Sequence, residues 1–352
     1  MNRIRKYHEA LLEATDLCLA RDPRVYLMGL GVPDPKGIFG TTLGLQQKHG
    51  AQRVLDMPTA ENGMTGVAIG SAIAGMRPIL THQRLDFALL AMEQIVNQAA
   101  KWHYMFGGQM RVPLVIRMIL GRGWGQGPQH SQSLHAWFAH VPGLKVVMPV
   151  TPQDAKGLLI ASVEDDNPVI FLEHRWLHNI TGHVPEGHYT VPIGPARIAR
   201  SGKDVTIVAA SYMVLEALRA AELLAAEGIE SEVVDLRTIS PLDSDSINES
   251  VARTGRLVVA DLGTKSFGIS GEIVARVVET QLASLKAPPA RVSAPDYPTP
   301  TSPALANNYY PRAPHIVAAV RRQFGLLVDE ASLLVDNSAW LDVPEKSFTG
   351  PF

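Results

Sequence analysis

Along the first half of the chain, short apolar runs rich in β-branched residues alternate with longer stretches whose apolar positions recur at helical spacing. The short runs predict strands near Val25 to Leu30, Pro78 to Thr81, Val112 to Ile119, Leu144 to Pro149 and Pro168 to Glu173. Between them the pattern predicts helices over Glu61 to Gly75, Ala88 to Phe106 and Thr151 to Glu164, each opened or closed by Gly, Pro or Thr. A first helix is marked by the stripe Ile4, Tyr7, Leu11, Ala14 and Cys18. This rhythm belongs to a parallel sheet covered by helices. In such sheets ligands lie outside the carboxyl ends of the strands, so the loops that follow strands are where chemistry is expected.

From about Asn179 to Asp204 the pattern breaks into a stretch bearing Gly, Pro and His. A second series then begins with a strand over Val205 to Ala210, an alanine-rich helix over Val214 to Ala226, and strands near Ser231 to Asp235 and Arg256 to Asp261. Pro288 to Pro303 is rich in proline, and a helix from Pro314 to Phe324 closes the series. The fold class expected is α/β with two doubly wound domains. Their bounds are residues 1–185 and 205–324, joined by a linker over 186–204 and followed by a tail over 325–352.

A length of 352 residues suits two domains, and 46% hydrophobic with 19% charged residues excludes disorder for most of the chain. The net charge of -2 leaves no basic excess to neutralise a phosphate backbone, so no nucleic-acid partner is expected. No run reaches the roughly 18 apolar residues of a membrane span. Glu9, Glu13 and Asp16 interrupt the place of a signal peptide. A cytoplasmic protein without membrane contact follows, in which the one cysteine, Cys18, is a buried structural thiol.

Several motifs invite chemistry. The loop Gly121-Arg122-Gly123-Trp124-Gly125-Gln126-Gly127 lacks the Lys-Ser or Lys-Thr of a phosphate-binding loop, and Gly29-Leu30-Gly31-Val32-Pro33-Asp34 does not complete a dinucleotide fingerprint. His130 follows the first of these at the start of an expected helix, where an imidazole serves either a structural contact or proton transfer. Ser131 beside it reads as a helix cap, since no nucleophile elbow surrounds it. Glu61 opens a helix of small residues, Gly63, Gly66, Ala68, Gly70 and Ala72, and is favoured there by the helix dipole whatever its function. Glu173, His174, His178, His183 and His188 lack the order of a zinc peptidase, and Arg175 and His178 are expected at an interface or in solvent.

With these positions in hand, the chain resembles the beta subunit of the thiamine-diphosphate-dependent dehydrogenase component of 2-oxo acid dehydrogenase complexes, the family of the pyruvate, branched-chain 2-oxo acid and acetoin enzymes. Matching segments run from about residue 4 to 324: Pro58-Thr59-Ala60-Glu61, Gln94 to Lys101, Gln129-His130-Ser131-Gln132, Pro142-Gly143-Leu144-Lys145-Val146-Val147, Asp154 to Leu159, Asp235-Leu236-Arg237-Thr238 and Ser240-Pro241-Leu242-Asp243. The resemblance implies a pyrimidine-binding first domain and a transketolase C-terminal-like second domain. It also implies oxidative decarboxylation of a 2-oxo acid with acyl transfer to lipoamide. The alternatives are a split transketolase-like or acetoin-cleaving thiamine enzyme, or a non-catalytic relative.

By resemblance, Glu61 matches the glutamate that protonates the cofactor's aminopyrimidine ring, Phe87 the aromatic residue that stacks on it, and Gln83 and Thr59 further wall positions. His130 matches the histidine on the reaction side. Leu114, Ser162, Val163, Asp165 and Asn167 match a potassium-type cation site. The chain has no Gly-Asp-Gly motif, so an alpha subunit is expected to hold the magnesium and diphosphate in an α2β2 assembly, with a lipoyl acyltransferase core as a further partner. Arg84 stands where relatives usually carry an apolar or aromatic residue. Trp124 is an addition to its loop, and Asp261-Leu262-Gly263-Thr264-Lys265 replaces a segment usually richer in glutamate.

Overall fold

In this computed structural model, residues 3–121 and 125–329 are described. Trp124 and its two predecessors in the glycine loop, and the tail from residue 330 on, lie outside them. The first helix, α1 (Tyr7–Arg21), buries Tyr7, Leu11, Ala14 and Cys18 as its stripe predicts. Ile4 is not on it: it belongs to a short strand, β1 (Ile4–Lys6), and is half exposed. Burial pushes the Cys18 thiol up to about 12, which makes it inert.

The chain then runs through β2 (Val25–Gly29), two short turns α2 (Gly37–Gly40) and α3 (Leu45–His49), β3 (Val54–Leu55), α4 (Glu61–Ile73) and β4 (Arg77–His82). It continues with α5 (Leu85–Ala88), α6 (Trp102–Met105), β5 (Val115–Leu120), α7 (His135–Ala139) and β6 (Lys145–Val147). After these come α8 (Pro152–Glu164), β7 (Val169–His174) and β8 (Thr181–His183). The order β6-β7-β5-β4-β2-β3 is parallel throughout. β5 and β7 are buried on both faces, which is why they read as unbroken apolar runs. β1 pairs antiparallel with β8 over three residues, too few to leave a period in the sequence.

The helix expected over Ala88 to Phe106 is instead broken into α5, a 3-10 turn (Leu89–Ala91), a π-helical stretch (Gln94–Ala99) and α6. The last of these breaks, before α6, lies where Gly143 presses on the carbonyl of Ala100 and Lys101 donates to the carbonyl of Pro142 at 2.7 Å. α1 lies along α8, and the two share an ionic clamp. The ammonium of Lys156, fully buried on α8, is 2.8 Å from both the Glu13 carboxylate and the Pro185 carbonyl, and Arg3 closes on the same carboxylate at 2.6 Å.

Two compact units result. The first holds the described residues up to Leu120 and from Trp137 to Ile193; the second holds the described residues of 121–136 and those from Gly194 on. Part of the stretch expected as linker is therefore strand: β9 (Arg197–Arg200) pairs antiparallel with β11 (Ser231–Asp235). The second unit adds β10 (Val205–Ala209), α9 (Tyr212–Ala226), a short β12 (Thr238–Ser240), α10 (Ser244–Thr254), β13 (Leu257–Thr264) and α11 (Ile269–Gln281). β14 (Ala290–Ala294), α12 (Pro303–Tyr309) and α13 (Ala313–Gln323) complete it. Its sheet runs β14-β13-β10-β11-β9, parallel but for β9. The proline-rich stretch thus conceals β14. Among the described residues no helix is long and apolar enough to cross a membrane.

Gly143 has φ +103°, and a Cβ there would overlap the Ala100 carbonyl oxygen. Gly143→Ala should therefore lower the unfolding free energy by at least about 2 kcal/mol in urea titrations; a loss within error of zero would contradict this packing.

Candidate active site

Because β3 and β4 run parallel to β2 between them in the sheet and α4 connects them, α4 runs back against the strands and begins at their carboxyl ends. Glu61 is its first residue and is 7% exposed, while Thr59 and Ala60 just before it are exposed. The carboxylate thus faces the protein at the positive end of a thirteen-residue helix. Thr65, one turn on, is buried on the same face, and its hydroxyl finds no partner among the described residues.

The loop after β4 reaches the same end of the sheet. Gln83, half-buried, donates its amide to the Leu30 carbonyl at 2.9 Å, just beyond β2. Gly31 has φ +72°, donates to Asp56 at 2.9 Å, and a Cβ on it would lie 2.8 Å from the Gln83 amide nitrogen. The glycines of this turn are thus explained by close packing. Phe87, half-buried, lies on α5, which packs on α4 and β4. Glu61, Gln83 and Phe87 are therefore carried to one end of the first unit's sheet, with Thr59 exposed beside them.

Sequence reasoning missed what lies behind these residues. The guanidinium of Arg117, in the middle of β5, is fully buried and its Nε donates to Glu173 at 2.7 Å. The other Glu173 oxygen is 3.4 Å from His178 Nε2, a weak contact. Burial works against ionisation of Glu173, but Arg117 and His178 outweigh it and hold the carboxyl below the usual range. Burial also lowers His178 and His82 from 6.5 to about 4, so both imidazoles are neutral near pH 7. Arg175 lies 4.3 Å over the Phe39 ring, its pKa lowered to about 10 by burial and by Arg84. The expectation that Arg175 and His178 sit at an interface or in solvent is thus corrected: 6% and 1% exposed, they are interior residues of the first unit. The signal was present, since one arginine inside the apolar run 112–120 is a charge that must be buried and paired.

His130 belongs to the second unit, in a turn five residues before α7 rather than at a helix start, with its N–H 3.4 Å from the Gly127 carbonyl. Ser131 therefore caps no helix; it is buried, with no partner for its hydroxyl among the described residues.

The residues expected to hold a cation form a tightly cross-linked corner. The carbonyls of Val163 and Asp165 accept from Arg77 at 2.9 and 3.1 Å, and the Leu114 carbonyl accepts the Val169 N–H at 2.9 Å. Ser162 donates to Leu158 at 2.7 Å, Asn167 binds the Asp165 carboxylate through backbone and side chain, and Lys145 pairs with that carboxylate. Each of these three carbonyls keeps a second lone pair.

Comparison with known proteins divides the chain at a similar place, except that residues 121–136 fall within the first family model. The family model described as the transketolase pyrimidine binding domain matches residues 5–179, and that described as the transketolase C-terminal domain matches 194–316. The chain is 48% identical to the acetoin:2,6-dichlorophenolindophenol oxidoreductase subunit beta of Cupriavidus necator, covering 89% of this chain and 95% of that one. It is 44% identical to the mitochondrial pyruvate dehydrogenase E1 component subunit beta-2 of Oryza sativa, covering 89% and 85%. Among solved structures, a split-gene transketolase described as an inactive beta4 tetramer superposes with TM-score 0.73 at 25% identity, covering 91% of this chain and 98% of that one.

The buried histidines make the fold acid-sensitive. Above pH 6.5 His82 and His178 are neutral folded or unfolded; as the pH falls toward about 4 the unfolded chain takes up protons that the fold refuses. Stability should therefore drop across that window, by on the order of 1.4 kcal/mol per pH unit for each group at most. Glu173, held below its usual range, adds to the loss at lower pH. Urea titrations at a series of pH values check this, and a flat or rising stability on acidification would contradict it.

Proposed function

Because the chain belongs to the E1 beta-subunit family of thiamine-diphosphate-dependent dehydrogenases, with transketolase-type pyrimidine-binding and C-terminal domains, we propose that it is the proton-handling half of a 2-oxo acid dehydrogenase. In this reading the enzyme oxidatively decarboxylates a pyruvate-like or branched-chain 2-oxo acid and passes the acyl group to lipoamide. The observation that carries it is Glu61, a carboxylate buried at a helix start on the strands' carboxyl end, beside the elements that bear Gln83 and Phe87.

That arrangement fits the aminopyrimidine half of thiamine diphosphate, which when bound supplies the electron sink for decarboxylation. Glu61 would hydrogen-bond a ring nitrogen of the bound pyrimidine, in a contact that burial would strengthen by excluding water. Phe87 offers a flat face for stacking, and Gln83 and Thr59 line the wall. The Gln83 amide is oriented by its bond to Leu30. His130 transfers a proton on the substrate side or places the lipoyl acceptor. The second lone pairs of the Leu114, Val163 and Asp165 carbonyls fit a potassium-type cation bound together with Ser162 and Asn167.

The missing half comes from an alpha subunit that holds magnesium and the diphosphate, in an α2β2 assembly that docks on a lipoyl acyltransferase core in the cytoplasm. Support for a protein partner is an apolar surface on the first unit: Val67 is 55% exposed on α4 between Gly63 and Gly70, which face open space, and Leu90, Tyr104 and Met105 are also exposed. A second reading, cleavage of acetoin, is favoured by the beta subunits of Cupriavidus necator and Bacillus subtilis, 48% and 41% identical to this chain.

Turnover, read as reduction of a dye acceptor with pyruvate, a branched-chain 2-oxo acid or acetoin as substrate, is expected only when the alpha subunit is present; full turnover by the chain alone would refute the divided site. In the reconstituted enzyme, Glu61→Gln should lower kcat by at least roughly 10²-fold with an unchanged melting temperature, and retained turnover would remove Glu61 from its role. Potassium should raise the melting temperature by a few degrees over sodium at equal ionic strength. Identical melting curves in the two salts would remove the cation site.

A further inference from the structure

His130 is carried by a segment, residues 125–134, that forms no helix or strand of its own. Its place is set by tertiary contacts. On the amino side Gly125 and Gly127, at φ +65° and +70°, lie against Thr301: a Cβ on Gly127 would be 2.5 Å from the Thr301 hydroxyl and one on Gly125 3.3 Å from the Thr301 carbonyl. On the carboxyl side stands His135, whose Nε2 is 2.8 Å from Asp261 Oδ1, with both side chains 1% exposed. All of these residues belong to the second unit.

Asp261 is itself held from several directions. Its Oδ1 accepts the Gly263 N–H at 3.1 Å, and Gly268, just before α11, lies against Oδ2. Burial works against its ionisation, but His135 and the neighbouring backbone amides outweigh that and keep the carboxyl below the usual range. The surroundings leave no slack. A Cβ on Gly263 would be 3.2 Å from the His135 ring and 3.4 Å from the Ser133 carbonyl, and one on Gly268 would be 2.9 Å from Asp261 Oδ2. A charge-assisted hydrogen bond in such a dry, filled place is both strong and directional.

We propose that His135 and Asp261 are positioning residues for His130, fixing the far end of its segment to β13 while Thr301 fixes the near end. The proposal rests on the reading of His130 as a reaction-side residue. It gives a reason for the departure at Asp261-Leu262-Gly263: the aspartate and the glycine two places on are what His135 needs. Only four residues separate His135 from His130, so a shift of the anchor by about 1 Å is carried to the imidazole, and such misplacement costs up to roughly 10²-fold in rate.

The test uses the reconstituted complex and the full chain. Asp261→Asn keeps the shape and removes the charge; His135→Gln is the second variant should the first fail to fold. In histidine-labelled full-length chain, with the His130 imidazole assigned by its loss in His130→Gln, both variants should shift the His130 resonances, and in the complex they should lower kcat by roughly 10- to 100-fold with KM within about twofold. His130 resonances that stay in place overturn the positioning, whatever happens to turnover. Shifted resonances with full turnover, and full turnover in His130→Gln, would uphold the positioning and refute the catalytic reading of His130.

Discussion

Parallel strand pairing is the constraint on which the first unit depends. A strand, a helix and a second parallel strand can be joined only if the helix runs back, so every helix start in such a unit lies at the strands' carboxyl ends. That rule brings Glu61, at the start of α4, to the same end as Gln83 and Phe87, which follow β4, and Leu30 and Gly31, which follow β2. None of these residues needs to be near another in sequence. Buried strands on both sides of β4 and β5 then exclude water from the sheet itself and leave its rim as the place for polar chemistry.

The same exclusion makes buried charge a structural matter. Arg117 with Glu173 and Lys156 with Glu13 each place a cation and an anion within 2.8 Å with at least one partner fully enclosed, and His135 meets Asp261 at the same distance with both side chains buried. Such pairs add little net stability over apolar substitutes, yet losing one partner strands the other, which ties distant segments into one geometry. Lys156 joins α8 to α1 and the Pro185 turn; Asp261 joins β13 to the segment of His130. The neutral imidazoles of His82 and His178 belong to the same interior and set its response to acid.

The motifs that made the family legible turn out to be largely packing motifs. In Asp154 to Leu159, Asp154 closes the helix start with Thr151, Lys156 meets Glu13, and Gly157 has Val191 and Tyr189 where a Cβ would be. In Pro142-Gly143, the glycine admits the Ala100 carbonyl. In Asp235 to Thr238, Asp235 pairs with Arg197 and Arg237 reaches the Pro195 carbonyl. In this chain these residues serve packing and backbone geometry.

Hydrophobic period alone determined the strands β2, β4, β5, β6 and β7, the helices α1, α4 and α8, and the two-part α/β plan, because each is a long or strongly patterned local signal. It also singled out Glu61 as the opening residue of its helix. The three-residue pairing of β1 with β8, the edge strand β9 inside the expected linker, and β14, whose start lies among prolines, leave no clear apolar period, and only partners distant in sequence define them. The turn at Ala100 that ends the π-helical stretch packs likewise against Gly143, some forty residues on. Only the tertiary structure decided that Arg175 and His178 are interior, that Arg117 answers Glu173, and that His135 answers Asp261 across 126 residues. A charge's partner is a fact of space, and nothing in the local pattern of either residue encodes it.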